Sequence, residues 1–247
     1  MQNTVARHVQ SIPTFGQFEK DRRAYFAAKR LLDAVFASVL LALLAPLFAI
    51  VALAIKLDSS GPVFFLQERV GSRRRRTGGN NVWEPVTFSI IKFRSMHHKC
   101  ASDLHEKFVK ALIHGNEHEL VQLRKDTGTE INKLNHDPRI TRVGKWLRRL
   151  RIDELPQLIN VLKGDMSIVG PRPALPYEVE EYAPHHCRRL ATVPGCTGLW
   201  QVSGWCTLGF EEMVDVDIRY IQKQSLLLDT WILLRTLPAL LSGKGGA

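Results

Sequence analysis

A single apolar run near the N-terminus constrains this fold more than any other feature of the chain. Residues 31–55 read LLDAVFASVLLALLAPLFAIVALAI, in which only Asp33 and Ser38 are polar. A straight helix of this length measures about 37 Å, which exceeds the ~30 Å hydrocarbon core of a bilayer. Pro46 lies past the midpoint, and a proline inside a helix removes a backbone hydrogen bond and introduces a kink. The run therefore predicts a membrane-associated helix.

Two membrane topologies and one soluble arrangement are open for this helix. It spans the bilayer, or it kinks at Pro46 and returns to the face that it entered, or it is a buried core helix. Basic residues lie on both sides of the run: Lys29, Arg30, Lys56, Arg69 and Arg73–Arg76. A spanning helix carries its excess of Lys and Arg on one side only. The charge pattern therefore favours re-entry, and spanning stays an alternative.

The composition excludes several classes of protein. The mean hydropathy of −0.09 is too low for a polytopic membrane protein. The net charge of +10 predicts an anionic partner. We expect no nucleic acid as partner, because the sequence contains no groove-entering or base-stacking module. The four cysteines form no CxxC pair, so we predict reduced thiols and no zinc site.

The segment 148–173 carries the candidate chemistry. It reads RRLRIDELPQLINVLKGDMSIVGPRP and places two adjacent carboxylates, Asp153 and Glu154, ahead of Pro156. Proline is tolerated in the first turn of a helix, so both carboxylates are expected at a helix start. Successive helical residues do not face each other. We therefore predict different tasks for the two side chains, one facing an electrophile and the other a metal ion.

Basic residues flank this carboxylate pair on both sides. Downstream, Pro171 and Pro173 fix the backbone around Arg172. The planar guanidinium group matches the oxygens of a phosphate, so the segment predicts phosphate binding. The upstream cations are Arg139, Arg142, Lys145, Arg148, Arg149 and Arg151.

Two strands are predicted between the apolar run and this segment. Residues 61–70 and 86–96 show features of a strand, and the basic, glycine-rich residues 71–81 between them are predicted to form a loop. Lys92 and Arg94 are two residues apart, so they are expected to face one side of the second strand. Both are candidates for phosphate binding.

Seven segments, taken in order, resemble the bacterial sugar transferases. They are KRLLD at 29–33, the proline-broken apolar run, GPVFFLQERVG at 61–71, KFRSM at 92–96, DPRITRVGKWLRR at 137–149, DELPQLINVLKGDMSIVGPRP at 153–173 and PGCTGLWQVSG at 194–204. These enzymes are the monotopic phosphoglycosyl transferases, or polyprenyl-phosphate hexose-1-phosphate transferases, of exopolysaccharide assembly. The resemblance covers roughly residues 29–241. It implies an α+β, predominantly helical fold with a re-entrant membrane helix.

The resemblance also implies a reaction and its participants. A member of this family moves a sugar 1-phosphate from a UDP-hexose to undecaprenyl phosphate and releases UMP. Carried over to this chain, Asp153 is the nucleophile that forms a covalent phospho-sugar intermediate. Glu154, together with Asp153, is expected to hold Mg²⁺. Arg148 is the leading candidate for a phosphate clamp, and the further substrate-binding candidates are Lys92, Arg94, Arg172, Pro171 and Pro173.

A location and a domain organisation follow from the same resemblance. We expect the bacterial inner (cytoplasmic) membrane, with the catalytic domain on the cytoplasmic face, membrane lipid as a partner and a homodimer as a possible assembly. The expected organisation is a polar tail at 1–18, a re-entrant helix at 19–57 and a cytoplasmic catalytic domain at 58–247. That domain includes a helical insert at 97–136 and C-terminal interfacial helices at 208–241.

Three departures from the family pattern bear on activity. Arg151 stands where the family usually has a serine, which would supply a capping box. Ala45 precedes Pro46, where a serine is usual, and Trp205 stands where an arginine is frequent. These departures keep an alternative open, a catalytically silent membrane scaffold for polysaccharide assembly. No residue in the sequence identifies the sugar.

Overall fold

The computed structural model describes residues 12, 15–16, 22–77, 80–97, 103–116, 118–122, 139–203 and 209–241. Its strands are β1 (Phe15–Gly16), β2 (Phe64–Thr77), β3 (Asn80–Phe93), β4 (Ser167–Val169) and β5 (Gly195–Thr197). Its helices are α1 (Arg23–Asp58), α2 (Asp103–Ile113), α3 (Arg142–Arg149), α4 (Gln157–Lys163), α5 (Pro176–Glu180), α6 (Leu199–Ser203), α7 (Phe210–Lys223) and α8 (Leu226–Leu241). Two 3-10 turns lie at Ile152–Glu154 and His186–Leu190. The mostly helical fold predicted from the sequence is confirmed.

The apolar run lies within α1, a helix of 36 residues that contains Pro46 and continues on both sides of it. The alternative of a buried core helix is wrong, because only 11% of the most apolar window of α1 is buried. By length and composition α1 is able to cross a membrane. The residues of α1 that face the protein recur at helical spacing: Lys29, Asp33, Ala37, Val51 and Ile55.

The opposite side of α1 exposes large apolar side chains. Leu43 is 71% exposed and Leu57 is 79% exposed. An apolar surface of this extent is rare on a soluble monomer, so α1 has one face for the protein and one for an apolar environment. This arrangement is compatible with membrane association. The exposed set is Leu31, Leu32, Val35, Phe36, Val39, Leu43, Ile50, Leu53 and Leu57.

Polar contacts hold both ends of α1 against the rest of the protein. In its N-terminal third, the Asp33 carboxylate accepts hydrogen bonds from Ser167 Oγ at 2.7 Å and from the Ile168 amide at 3.1 Å. At its C-terminal end, Asp58 accepts a hydrogen bond from the Val143 amide at 3.0 Å. The two ends are therefore attached to α3 and β4, the elements on either side of the part of the chain that holds the carboxylate pair and α4.

Arginine side chains cap the C-terminal ends of three helices. Arg22 donates to the carbonyl of Gln222 at 2.7 Å, at the end of α7, and Arg30 donates to that of Leu162 at 2.6 Å, at the end of α4. Arg94 donates to the carbonyl of Ser59 at 2.6 Å, at the end of α1. Cations at these positions donate hydrogen bonds to carbonyls that have no partner within the helix, and they interact favourably with the negative end of the helix dipole. Part of the basic pattern around the apolar run therefore serves intramolecular contacts.

The two long strands β2 and β3 form an antiparallel hairpin, to which β1 adds a short third strand. The prediction of a loop at 71–81 is wrong, because β2 continues to Thr77 and β3 begins at Asn80. Contacts across the hairpin stabilise this basic segment. Arg75 of β2, for example, forms an ion pair at 3.2 Å with Glu84 of β3. The predicted strands at 61–70 and 86–96 largely coincide with β2 and β3.

The C-terminal part of the chain packs against the first half of α1. β4 pairs in parallel with β5, and a core cluster joins Ile168, Tyr220 and Ile232 to Leu40 and Leu44 of α1. The predicted helices in this region are present as α7 and α8. One side of α8 is exposed and apolar, with Leu227 at 83% and Leu234 at 64%.

Three predicted features lie partly or wholly outside the described residues. Of the tail at 1–18, the structure describes Ile12 and β1. Of the insert at 97–136, it describes α2 and a helical stretch at 118–122, and both agree with the helical prediction. Trp205 lies outside the described residues.

Candidate active site

The carboxylate pair lies in the 3-10 turn between α3 and α4. Pro156 is the N-cap of α4. The prediction placed Asp153 and Glu154 in the first turn of that helix, but they lie in the 3-10 turn just before it. Arg151, just before the turn, has φ of 56° and is left-handed. A non-glycine residue in this region costs on the order of 1–3 kcal/mol, and such strain is frequent at functional sites. A serine at this position would cap the turn with its side chain. Arg151 makes no such side-chain hydrogen bond, and the turn instead begins with its left-handed backbone conformation.

Glu154 is paired with a lysine from the hairpin. Lys92 Nζ lies 3.0 Å from Glu154 Oε1, and their side chains are 19% and 39% exposed. Burial alone would raise the pKa of Glu154, but the cations Lys92, Arg172 and Arg151 outweigh it and lower this pKa to about 2. Glu154 is therefore ionised throughout the physiological pH range.

Asp153 has the opposite electrostatic environment. Burial, and then the charge of Glu154, raise the pKa of Asp153 to about 6, while Lys92 and Arg148 oppose this rise. The carboxyl group is still mostly ionised at pH 7. Environments that push the pKa values of neighbouring carboxylates apart are typical of sites where the two have different roles. The two carboxylates therefore differ in pKa, and their different tasks stay a prediction.

Two arginines lie on either side of the pair. Arg148 is half-buried in the last turn of α3, and its charge lowers the pKa of Asp153. Arg172 is exposed, and its charge lowers the pKa of Glu154. Within the described part of the chain, neither guanidinium group has a hydrogen-bond partner. The structure thus brings Lys92, Arg148 and Arg172 together around the carboxylates with donor groups available for an anion.

Close backbone packing fixes the corner that carries Arg172. The Gly170 amide donates to Thr197 at 2.8 Å, and the Gly195 amide donates to Pro171 at 2.8 Å. A Cβ atom on Gly195 would lie 2.1 Å from the Gly170 nitrogen, so glycine is required for this approach. Pro171 and Pro173 are buried on either side of Arg172. The prolines therefore act by holding the corner, and the guanidinium group is the part that reaches solvent.

Arg94 does not join this group. Its guanidinium is buried and donates to the carbonyls of Ile55, Ser59 and Ser60 at 3.3, 2.6 and 2.7 Å. The strand ends at Phe93, so the alternation that placed Arg94 beside Lys92 does not extend to it. We therefore leave Arg94 out of the proposed site. Its contacts instead attach the hairpin to the end of α1.

Asn160 positions the site and was missed by the sequence analysis. It is fully buried in α4, where its side chain accepts from the Ile91 amide at 2.9 Å and donates to the Ser89 carbonyl at 2.8 Å. It thereby binds the backbone of β3 one and three residues before Lys92. The available signal was a polar side chain within the apolar stretch LINVL.

The donor set at the carboxylate pair fits a magnesium ion. Mg²⁺ is usually bound in proteins by one or two carboxylates together with substrate phosphates. Glu154 is ionised and half-exposed, and Asp153 is its direct neighbour in the turn. The predicted ligand pair is therefore chemically suitable.

A second cluster, formed by His185, His186 and Glu211, brings three ligand-type side chains within 4.8 Å of one another. The Ala183 amide donates to His186 Nδ1 at 3.0 Å, so a neutral His186 carries its proton on Nε2. That nitrogen lies 2.8 Å from Glu211 Oε1, to which it donates. A metal at Nε2 would have to displace this proton, so the contacts describe a hydrogen-bonded cluster.

Carboxylates and cations beside an apolar helix have the chemistry of a membrane-associated group-transfer enzyme. The family described as bacterial sugar transferase matches residues 24–243 of this chain. The chain belongs to the bacterial sugar transferases. The resemblance stated from the sequence is confirmed, and with it the assignment to the phosphoglycosyl transferase enzymes.

Curated relatives extend over most of the chain. The exopolysaccharide production protein ExoY of Rhizobium meliloti (strain 1021) is 36% identical over 221 residues, which cover 88% of this chain and 87% of that protein. The UDP-glucose:undecaprenyl-phosphate glucose-1-phosphate transferase of Caulobacter vibrioides is 41% identical, over 87% of this chain and 70% of that protein. The galactosyl transferase CpsE of Streptococcus agalactiae is 39% identical, over 90% of this chain and 44% of that protein.

Proposed function

We propose that this enzyme transfers a sugar 1-phosphate from a UDP-hexose to undecaprenyl phosphate and releases UMP, with Asp153 as the nucleophile. The observation that carries this proposal is the convergence of Lys92, Arg148 and Arg172 on the Asp153–Glu154 pair. The names of the relatives support the acceptor and the type of donor, since they include undecaprenyl-phosphate sugar phosphotransferases. The reaction would be a membrane step of exopolysaccharide assembly.

In the first half-reaction, the Asp153 carboxylate attacks the sugar-bearing phosphorus of the donor. A P–O bond forms to Asp153, and the bond between this phosphorus and the bridging oxygen of UMP breaks. Phosphoryl transfer depends mainly on positioning and on neutralising the phosphate oxygens. Arg148 and Lys92, which already act on the charge of Asp153, are suited to that task. UMP leaves with the electron pair of the broken bond.

In the second half-reaction, a phosphate oxygen of undecaprenyl phosphate attacks the same phosphorus. The bond to Asp153 breaks, the carboxylate is regenerated, and the product is a diphosphate-linked sugar lipid. A carboxylate is a suitable nucleophile and leaving group here, because it is ionised without a general base. The raised pKa of Asp153 increases its basicity relative to an exposed aspartate.

Glu154 and Asp153 are the residues that would hold Mg²⁺. When bound, the ion neutralises phosphate oxygens of the donor. Lys92 holds Glu154 in place through the 3.0 Å contact and keeps it ionised. Removal of divalent ions with a chelator is therefore expected to stop transfer.

Apolar surface next to the site supports a lipid acceptor. Trp146 and Leu150, on either side of Arg148, are 64% and 61% exposed. Phe65, which is 48% exposed, is the cross-strand partner of Lys92. Apolar groups of this kind give a polyprenyl chain a surface beside the cations that would hold its phosphate.

We further propose that α1 re-enters the membrane and leaves the catalytic part on the cytoplasmic face of the inner membrane. The support is that one protein body holds both ends of α1, through Asp33 near the start and Asp58 at the end. A straight helix of this length measures about 54 Å and would separate its ends by more than the ~30 Å hydrocarbon core. Because both ends of α1 are attached to one protein body, we place both ends on the same face of the membrane.

The test is UMP release by the full-length protein in nanodiscs with undecaprenyl phosphate, Mg²⁺ and a panel of UDP-sugars. We expect release with at least one sugar, dependent on the lipid acceptor and absent in Asp153→Asn. The matched control is Asp215→Asn, which makes the same change at an exposed position of α7 and is expected to leave turnover unchanged. Full turnover by Asp153→Asn would refute the nucleophile assignment. No release with any sugar would favour the catalytically silent scaffold.

A further inference from the structure

A cavity of about 550 Å³ lies between the turn end of the hairpin and the first turns of α1. It is distant from the carboxylate pair, because Trp83 and Lys92 are nine residues apart on β3, or about 30 Å at 3.4 Å per residue. Nothing in the proposed reaction uses it. Its lining includes three arginines, two aromatic rings and one amide: Arg23, Arg74, Arg76, Phe26, Trp83 and Asn81.

Strand alternation divides the basic run of β2 between two faces. Arg73 and Arg75 lie on one face, where they form ion pairs with Asp165 at 2.9 Å and with Glu84 at 3.2 Å. Arg74 and Arg76 lie on the other face and line the cavity. The basic run therefore presents two of its arginines to each face of the hairpin, and the cavity lies on the face of Arg74 and Arg76.

The cavity combines positive charge with an aromatic floor. Phe26 and Trp83 meet edge to face with ring centroids 5.2 Å apart, and the guanidinium of Arg74 lies 4.9 Å above the Phe26 ring. Arg23 adds a third cation from α1. Within the described residues, no carboxylate lines this cavity, and the first turn of α1 has no acidic residue. An anion with an apolar portion would match both properties.

The place of the cavity along α1 indicates where that anion comes from. Arg23 begins α1, and the exposed apolar face of this helix starts at Leu31, about 12 Å further along the axis at 1.5 Å per residue. The cavity therefore lies on the polar side of the point where the apolar face begins, next to where lipid headgroups would lie if that face enters a hydrocarbon layer. Basic residues beside a membrane surface attract anionic lipids.

We propose that this cavity binds the phosphate group of an anionic phospholipid. Arg23, Arg74 and Arg76 would hold the phosphate oxygens, and the rings of Phe26 and Trp83 would contact the glycerol and the upper acyl carbons. The site would fix the N-terminal end of α1 at the membrane surface. It is separate from the catalytic pair, so a failed sugar-transfer assay would leave this proposal unaffected.

The experiment measures thermal unfolding of the full-length protein in detergent micelles with added dihexanoyl phosphatidylglycerol. A ligand that binds the folded state raises the Tm. We expect a concentration-dependent rise that dihexanoyl phosphatidylcholine and inorganic phosphate do not reproduce. In Arg74→Gln/Arg76→Gln, the apparent affinity is expected to fall about tenfold or more, because charge-assisted hydrogen bonds are lost.

The matched control is Arg73→Gln/Arg75→Gln, which removes the same charge from the other face of the same strand. It is expected to keep the wild-type response to phosphatidylglycerol. An equal loss in both double variants would overturn the proposal, because general charge attraction would then explain binding. Equal stabilisation by inorganic phosphate would overturn the lipid assignment in favour of a soluble phosphate. If the first double variant does not fold, Arg23→Gln provides the same test from α1.

Discussion

Lys92 Nζ lies 3.0 Å from Glu154 Oε1, and this contact joins two segments that are 62 residues apart in the sequence. Lys92 lies near the end of the hairpin, and Glu154 lies in the turn before α4. The hairpin supplies the lysine of this ion pair, and the turn supplies the glutamate. The site therefore exists only when the hairpin and α4 are packed together.

Replacement of Lys92 by methionine tests this contact. The variant is expected to lose roughly 100-fold in kcat/KM, because it removes one preorganised cation that acts on the transferring phosphate. The pKa of Glu154 is expected to rise, because Lys92 is the main cation that lowers it. Steady-state UMP release measures the first effect. Lys223→Met, an exposed change at the end of α7, is the control, and a similar loss there would show that total charge is responsible.

Asn160→Ala tests the attachment of α4 to the hairpin. The substitution leaves the buried Ile91 amide and Ser89 carbonyl without their partner. We expect a loss of about 2–4 kcal/mol in the free energy of unfolding, since each unsatisfied buried group costs about 1–3 kcal/mol. Denaturant unfolding in detergent measures it. Gln222→Ala, on the exposed side of α7, should change stability by less than about 0.5 kcal/mol. Unchanged stability in Asn160→Ala would contradict a positioning role.

The raised pKa of Asp153 predicts a pH-dependent stability effect. A carboxyl group whose folded-state pKa is raised from 3.8 to about 6 contributes stability below its unfolded pKa, and this contribution is lost as the pH rises through 6. Asp153→Asn removes that loss. Its Tm should therefore exceed that of the wild type by a few degrees at pH 8 and by much less at pH 4. Identical differences at both pH values would show that the pKa of Asp153 is near its ordinary value.

The same shift predicts the acid limb of the activity profile. The nucleophile must be ionised, so kcat/KM should fall about tenfold per pH unit well below pH 6. The measurement is UMP release at limiting donor concentration across this range. A midpoint at the ordinary aspartate pKa would contradict the proposed environment.

Pro46→Leu tests what sets the topology of α1. Leucine restores the missing amide donor and favours a straight helix. We expect both ends to remain on one membrane face nevertheless, because Asp33 and Asp58 attach them to the same body. Protease accessibility of tags at the two termini measures this in inverted vesicles. Movement of the N-terminal tag to the opposite face would show that the proline, and not the side-chain attachments, determines the topology.

The sequence was sufficient to predict those features whose structure depends on neighbouring residues. Proline tolerance placed Pro156 at the start of α4, and the strand patterns at 61–70 and 86–96 correspond to the hairpin. The adjacent carboxylates and the corner around Arg172 were recognisable from residue type and spacing. These features depend on neighbours that are close in sequence.

Long-range partners account for what was missed. A loop was expected at residues 71–81 because they are basic and glycine-rich, yet residues 71–77 belong to β2, and cross-strand pairing with β3 keeps them extended. Arg94 was expected beside Lys92, but helix-end carbonyls some 35 residues earlier in the chain hold its guanidinium. Asn160 pairs with backbone groups about 70 residues away. Sequence patterns do not encode contacts at such separations.

The arginine caps have a consequence for how this enzyme can be divided. Arg22 and Arg30 reach from the N-terminal end of α1 to close α7 and α4, and α4 is attached to the turn that bears the carboxylate pair. Deleting the apolar helix to obtain a soluble catalytic fragment would leave those helix ends open and expose the core that α1 covers. Helix α1 is thus a structural component of the part that bears the carboxylate pair, and we expect a fragment to need this helix in order to be active.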